Sequence, residues 1–275
     1  GKRENIAHKE GENLVIFKES ICSDLNHIFS KHPIEAVFHF AAIPRVQYSI
    51  LHPKETNKVN IEGMLNILEH CKKHNVKRIV FSSSSSIYGD QDKLPLEENM
   101  IPNPKSPYAL QKLTGEFYCN LYWKIHGIET ISLRYFNVYG PRQDPNGNYA
   151  TLVAKFIKLF KNNERPSIHG DGKNTRDFTY VKDVVNANIL AASTLNNKCF
   201  GEAFNIGGGK NHSVNEVTNH IKLLTNSSSE PIYGPAVVEP KDTLADIKKA
   251  KEFLNWIPEI EFNKGLKLTY ESMFP

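Results

Sequence analysis

The chain alternates short apolar runs with longer segments of helical period. Residues 13–17 (NLVIF), 36–40 (AVFHF), 78–82 (RIVFS) and 130–136 (TISLRYF) predict strands. Residues 53–74 set Ile61, Leu65 and Leu68 on one helical face, and residues from about 106 to 126 predict a second long helix. Near-continuous apolar strands separated by helices point to an α/β chain with a parallel sheet covered on both faces. After Gly140 the texture changes to loops rich in Gly, Pro and Asn, at 141–148 and 170–174, with shorter elements between them. Ser213 with Glu216 three residues later forms a capping-box pattern that opens a helix to about Leu224. No internal repeat is seen.

Composition excludes more than it selects. The 275 residues carry 34 Lys and Arg against 30 Asp and Glu, a net charge of +4. That balance, without a basic stripe, argues against nucleic acid. Lys72-Lys73 with Lys77-Arg78, and Lys248-Lys249, read as solvated helix ends. Cys22, Cys71, Cys119 and Cys199 match no metal spacing and no disulfide framework, so reduced thiols in a cytoplasmic protein and no metal are expected. No apolar run approaches the ~20 residues of a membrane span, and no signal-peptide pattern is present.

Candidate chemistry begins at SSSSSIYGD, residues 82–90, which follows directly on an apolar strand. Ligands of open parallel sheets bind beyond the carboxyl ends of the strands, where small hydroxyl residues let a flat cofactor approach. A Ser-rich turn with no ligand is the alternative this stretch leaves open. Some two dozen residues later, SPYALQK sets Tyr108 and Lys112 four apart at the start of the second long helix, on one face. A phenol with an ordinary pKa of about 10 is a poor base at neutral pH. A neighbouring ammonium is expected to lower it, so that Tyr108 exchanges a proton with an alcohol while a hydroxyl such as Ser84 shares the hydrogen bond.

With these residues in place, the sequence resembles the extended short-chain dehydrogenase/reductase family, and within it the NAD-dependent nucleotide-sugar 4-epimerases. The matching segments are HFAA (39–42), NIEG (60–63), SSSSSIYGD, SPYALQK, LRYFNVYGPR (133–142), GDGKNTRDFTYVKDV (170–184), NIGG (205–208) and TLADI (243–247), in the family's order along nearly the whole chain. The resemblance implies a Rossmann-type doubly wound parallel sheet over 1–140 and about 176–201. It gives the smaller substrate lobe 141–175 and 202–275. It implies Ser84, Tyr108 and Lys112 as the catalytic set, with Lys112 also on the nicotinamide ribose of NAD. Ser20, Ile21, Phe40, Ala41, Ala42, Asn60, Ser82 and Tyr135 are implied at the cofactor, with Phe136 beside Tyr135 at the nicotinamide. For the UDP-sugar it implies Ser84, Ser86, Tyr108, Asn137, Leu152, His169, Arg176, Glu239 and Thr243, with Asn137 and Arg176 on the diphosphate. His39 reads as a satisfied strand-end histidine. A homodimer through the two long helices is also implied.

Sister activities differ at the serine run. Sugar-nucleotide 4,6-dehydratases carry Asp-Glu directly after the residue matching Ser84, and hexuronate decarboxylases carry Glu two residues after it; here these positions are Ser85 and Ser86. A small Thr243 suits a pocket wide enough for N-acetylated sugars. Arg45 stands where relatives often carry Ser; it meets a substrate carboxylate, which favours a hexuronate, or it points to solvent. Three departures from the family pattern stand out. No G-x-x-G-x-x-G turn and no ribose-binding acid occur in the chain, which opens on GKREN without a Met. Ser20 replaces a frequent Asp. Ala236 stands where relatives place a diphosphate-binding Arg, so weaker nucleotide-sugar binding is expected. The readings in play are a fragment of an active epimerase or a non-catalytic nucleotide-sugar-binding relative.

Overall fold

The computed structural model describes residues 3–9, 13–146, 151–236 and 240–274. Four parallel strands form the central sheet, β1 (Ala36–His39), β2 (Arg78–Ser84), β3 (Glu129–Tyr135) and β4 (Glu202–Ile206), in the order β1-β2-β3-β4. Register pairs Phe81 with Ser132 and Ser84 with Tyr135, so β2 ends within the serine run, level with the end of β3. Side chains alternate across the sheet as strand geometry requires. Ile79 and Phe81 join the core beneath one face, while Val80 joins Leu133, Phe204 and Trp256 on the other.

The helices follow local chain logic. α1 (Val46–Leu51) is followed by Pro53–Asn57, a π-helical turn Lys58–Glu62, and α2 (Gly63–Lys73), which run on from one another. α3 (Pro107–His126) is opened by Ser106, whose Oγ accepts from Ala109 N at 3.2 Å, with Pro107 in the first turn. It stops at Gly127, whose φ of 69° suits a left-handed C-cap. α2 and α3 cover one sheet face through Met64, Leu68, Cys119 and Tyr122; α4 (Val181–Ser193) covers the other through Val184, Ala187 and Ala191. A second core lies in the lobe, where Phe156, Ile157 and Phe160 pack on Val217, Ile221 and Leu266. The expected capping box forms: Ser213 Oγ accepts from Glu216 N, and Glu216 reaches back to Ser213 N, opening the helix Val214–Thr225.

Two expectations fail. Residues 13–17 form no strand, and Leu14, Val15, Ile16 and Phe17 lie exposed. Among the described residues no strand lies beside them, and an extended segment without a ladder partner leaves its backbone groups to water. Residues 202–206, expected in the lobe, are instead the fourth sheet strand, paired with β3. Among the described residues no helix is long and apolar enough to cross a membrane, and no cluster of His, Cys, Asp and Glu could hold a metal.

Candidate active site

Helix α3 lies on the end of β2 with unusual intimacy. A Cβ on Gly115 would stand 2.4 Å from the Phe81 ring, so only glycine allows this approach. Side chains at four-residue spacing on that face then meet consecutive serines. Tyr108 faces Ser84, whose hydroxyl favours the charged form of the phenol. Lys112 Nζ donates to the Ser82 carbonyl at 2.6 Å. Glu116 accepts from Ser83 Oγ. Ser82, Ser83 and Ser84 therefore form the strand end, each facing a different residue of α3.

The last two serines form a tight turn. Ser84 caps the short 3₁₀ turn Ser85–Tyr88, its Oγ accepting from Ser86 N at 3.2 Å. Ser86 Oγ itself is buried and has no hydrogen-bond partner in the protein. A buried hydroxyl left in this state is suited to a ligand.

Electrostatics depart from the simple expectation. Burial pushes the Tyr108 phenol up, and the neighbouring Ser84 hydroxyl pulls the other way. The expected lowering by Lys112 is absent because the ammonium, 5.9 Å from the ring centre, turns to the Ser82 carbonyl. Burial also lowers Lys112 to about 8, opposed by Cys119 and Glu116. His39 is buried and stacked on Phe81 at 5.8 Å, and burial brings it down to about 4.

The other expected residues fall into separate groups. Phe40, exposed at the end of β1, stacks on Tyr135 with ring centres 6.4 Å apart, and Tyr135 Oη donates to Asn188. Phe136 is fully buried against Tyr88, away from that wall. Ala41 and Ala42 follow β1 in an open loop. Asn60 holds the same loop, bonding both Ile43 N (2.8 Å) and Ile43 O (3.1 Å), and donates to Gln111 Oε1 at 2.8 Å. Its side chain is thus engaged in supporting the loop. Ser20 and Ile21 sit beside α2, where Ile21 packs on Gly63 and its carbonyl accepts from Asn66.

Asn137, Leu152, His169 and Arg176 line one cavity of about 360 Å³ in the lobe, with Phe156 and Phe178 as apolar walls. Thr243 is buried outside that cavity; its Oγ1 accepts from Asp177 N at 3.3 Å. Glu239 lies outside the described residues. Sequence reasoning missed Ser49, whose Oγ accepts from Tyr108 N at 3.1 Å, and the Glu116–Arg134 pair. Glu116 was within reach, since Tyr108, Lys112 and Glu116 share one helical spacing.

Residues 2–207 match the NAD dependent epimerase/dehydratase family. The chain belongs to this family. Among solved structures it is similar to the UDP-glucose 4-epimerase of Thermotoga maritima with UDP-glucose, at 39% identity and a TM-score of 0.93, covering 99% of this chain and 87% of that one. The UDP-N-acetylglucosamine 4-epimerase of Methanobrevibacter ruminantium, in complex with UDP-N-acetylmuramic acid, is 36% identical with a TM-score of 0.93 and the same coverage. The UDP-glucuronic acid 4-epimerase of Bacillus cereus, with UDP-glucuronic acid and NAD, is 33% identical with a TM-score of 0.90, covering 98% and 85%. These epimerase/dehydratase relatives span three different sugars on one fold.

Proposed function

We propose that this chain is an NAD-dependent 4-epimerase of a UDP-sugar, either a hexose or an N-acetylhexosamine. The observation that carries the reading is the juxtaposition of Tyr108, Ser84 and a buried Lys112 at the open end of a parallel sheet. Ser85 and Ser86 bring no carboxylate to this point, which argues against elimination of water and against decarboxylation.

The residues fit the nicotinamide end of NAD. Phe40 and Tyr135 make a flat aromatic wall, and Ala41 and Ala42 add no bulk. Ser82 and Lys112 would hold the ribose and Ser20 and Ile21 the adenine, with Asn60 supporting the loop after β1. Bound NAD supplies a hydride acceptor and donor for C4 of the sugar.

The chain's own residues do the rest. Tyr108 Oη takes the proton from the sugar O4 hydroxyl, and Ser84 carries the hydrogen bond through the transfer. Burial disfavours the phenolate and the ammonium alike, and Lys112 stays on the Ser82 carbonyl while the Ser84 hydroxyl favours the phenolate. Asn137 and Arg176 hold the diphosphate, Leu152 and His169 line the nucleotide end, and Ser86 meets the sugar. After the 4-keto sugar turns over, Tyr108 returns the proton to O4.

A UDP-hexuronate is the second reading, favoured by Arg45 at the N-cap of α1 on the loop after Ala41 and Ala42. Incubation of the chain and NAD with UDP-glucose, UDP-N-acetylglucosamine or UDP-glucuronate, followed by proton NMR of the anomeric signals, tests the function. A C4 epimer from either of the first two supports the main reading, and one from UDP-glucuronate alone the second. No epimer from any points to a non-catalytic nucleotide-sugar binder.

The finer biology follows the same reading. Leu110, Phe117, Leu121 and Ile125 form one exposed apolar stripe along α3, which suits a homodimer through paired copies of this helix. Four free cysteines, three of them buried, suit a reducing cytoplasm.

A further inference from the structure

Glu116 lies one helical turn beyond Lys112 and has no part in the proton transfer as described. It is buried, and so is Arg134 on β3. Arg134 grips it with two bonds, Nε to Oε1 at 2.9 Å and Nη2 to Oε2 at 2.7 Å. Glu116 Oε1 also accepts from Ser83 Oγ. The free corner of the guanidinium, Nη1, donates to Tyr88 Oη at 2.8 Å and to the Glu98 carbonyl at 3.2 Å. Tyr88 Oη donates onward to Asn205 Oδ1 on β4 at 2.7 Å. One buried network therefore joins α3, the end of β2, the turn after it, β3 and β4.

Stability alone does not call for such a pair, because well-packed apolar side chains usually serve a core as well. Its location suggests another use. Ser83 stands between Ser82, whose carbonyl Lys112 holds, and Ser84, whose hydroxyl Tyr108 meets. Fixing Ser83 fixes both neighbours, since they share its backbone. We propose that Glu116, held by Arg134, is a positioning residue for proton transfer. Through Ser83 it sets the strand end against α3, and its negative charge favours the ammonium form of Lys112. The groups that face Lys112 are Tyr108, Glu116 and Cys119 from its own helix and His39 from β1. Glu116 is the only carboxylate among those four.

The inference rests on the reading that Tyr108 and Lys112 move the proton, so its test has a readout that needs no turnover. The Lys112 ε-carbon is followed by carbon-13 NMR across pH, assigned by its loss in Lys112→Arg. Glu116→Gln lowers the Lys112 midpoint by about one pH unit. If that variant does not fold, Glu116→Gln with Arg134→Met removes both buried charges and is read in the same way. Ser83→Ala leaves the ion pair in place; it lowers kcat about tenfold with KM for the UDP-sugar and the melting temperature unchanged. A Lys112 midpoint that does not move overturns the electrostatic role. A kcat within about twofold of the parent in Ser83→Ala overturns the positioning role. Retained epimerase activity in Tyr108→Phe sinks the proton-transfer reading instead, while the Lys112 titration still reports whether Glu116 is coupled to it.

Discussion

Lys112 Nζ donates to the backbone carbonyl of Ser82 at 2.6 Å, so the buried ammonium is anchored to the strand end and not to the tyrosine beside it. This anchoring makes the lysine a structural reference point for the serines as well as a charge for the chemistry. Burial lowers its pKa to about 8 from an ordinary 10.5. Between those values the unfolded chain holds a proton that the folded chain has released. Stability from this group is therefore present above pH 10.5 and lost as pH falls through about 8. The swing is about 3 kcal/mol. Lys112→Met, compared with the parent by urea unfolding at pH 7.5 and pH 10, is expected to remove that pH-dependent difference.

Gly115 tests how close the helix must lie. An alanine Cβ there meets Phe81 Cζ at 2.4 Å. Overpacking of this kind costs about 1–3 kcal/mol, more than the helix propensity that alanine adds. Gly115→Ala should lower the melting temperature and reduce kcat by moving Lys112 and Glu116 off their serines. Adding Phe81→Leu should restore much of the stability, a coupling that a double-mutant cycle measures.

Asp177 knits three distant segments together. Its carboxylate accepts from Gly208 N at 2.5 Å, Gly209 N at 3.2 Å and Ala245 N at 3.0 Å. Gly207 has no room for a side chain here, since a Cβ would lie 2.8 Å from Asp177 Oδ2. Asp177→Ala leaves these buried donors without their acceptor and is expected to destabilise the fold by about 3 kcal/mol or more, read by chemical denaturation.

The exposed stripe on α3 gives a prediction for assembly. Phe117, 64% exposed in the single chain, is its most accessible residue. Phe117→Asp should convert a dimer to a monomer in size-exclusion chromatography with light scattering, without loss of helix content by circular dichroism.

Much of this architecture was legible in the sequence. The apolar run 78–82 and the helical period from about 106 to 126 predict a strand and a helix, and both elements form within a few residues of expectation. What local pattern could not show depends on partners elsewhere. Residues 13–17 have the composition of a strand, but strand formation needs a neighbour. Residues 202–206 belong to the sheet because β3 offers them an open edge, which no local signal announces. The Tyr108 phenol moved opposite to expectation because spacing reveals proximity to an ammonium and not burial or the carbonyl that competes for it. Ser83 looked equal to its neighbours; only the depth at which Glu116 and Arg134 lie gives it a separate partner.

The most direct measurement compares Tyr108→Phe with the parent chain, recording kcat for C4 epimerisation and, separately, UDP-sugar affinity by calorimetry. Loss of about 10²–10⁴-fold in kcat with unchanged affinity is the expected result, because the variant keeps the ring and removes only the hydroxyl that meets Ser84. A Tyr108→Phe variant that turns over UDP-sugar at the parent rate would place the proton transfer elsewhere in the molecule.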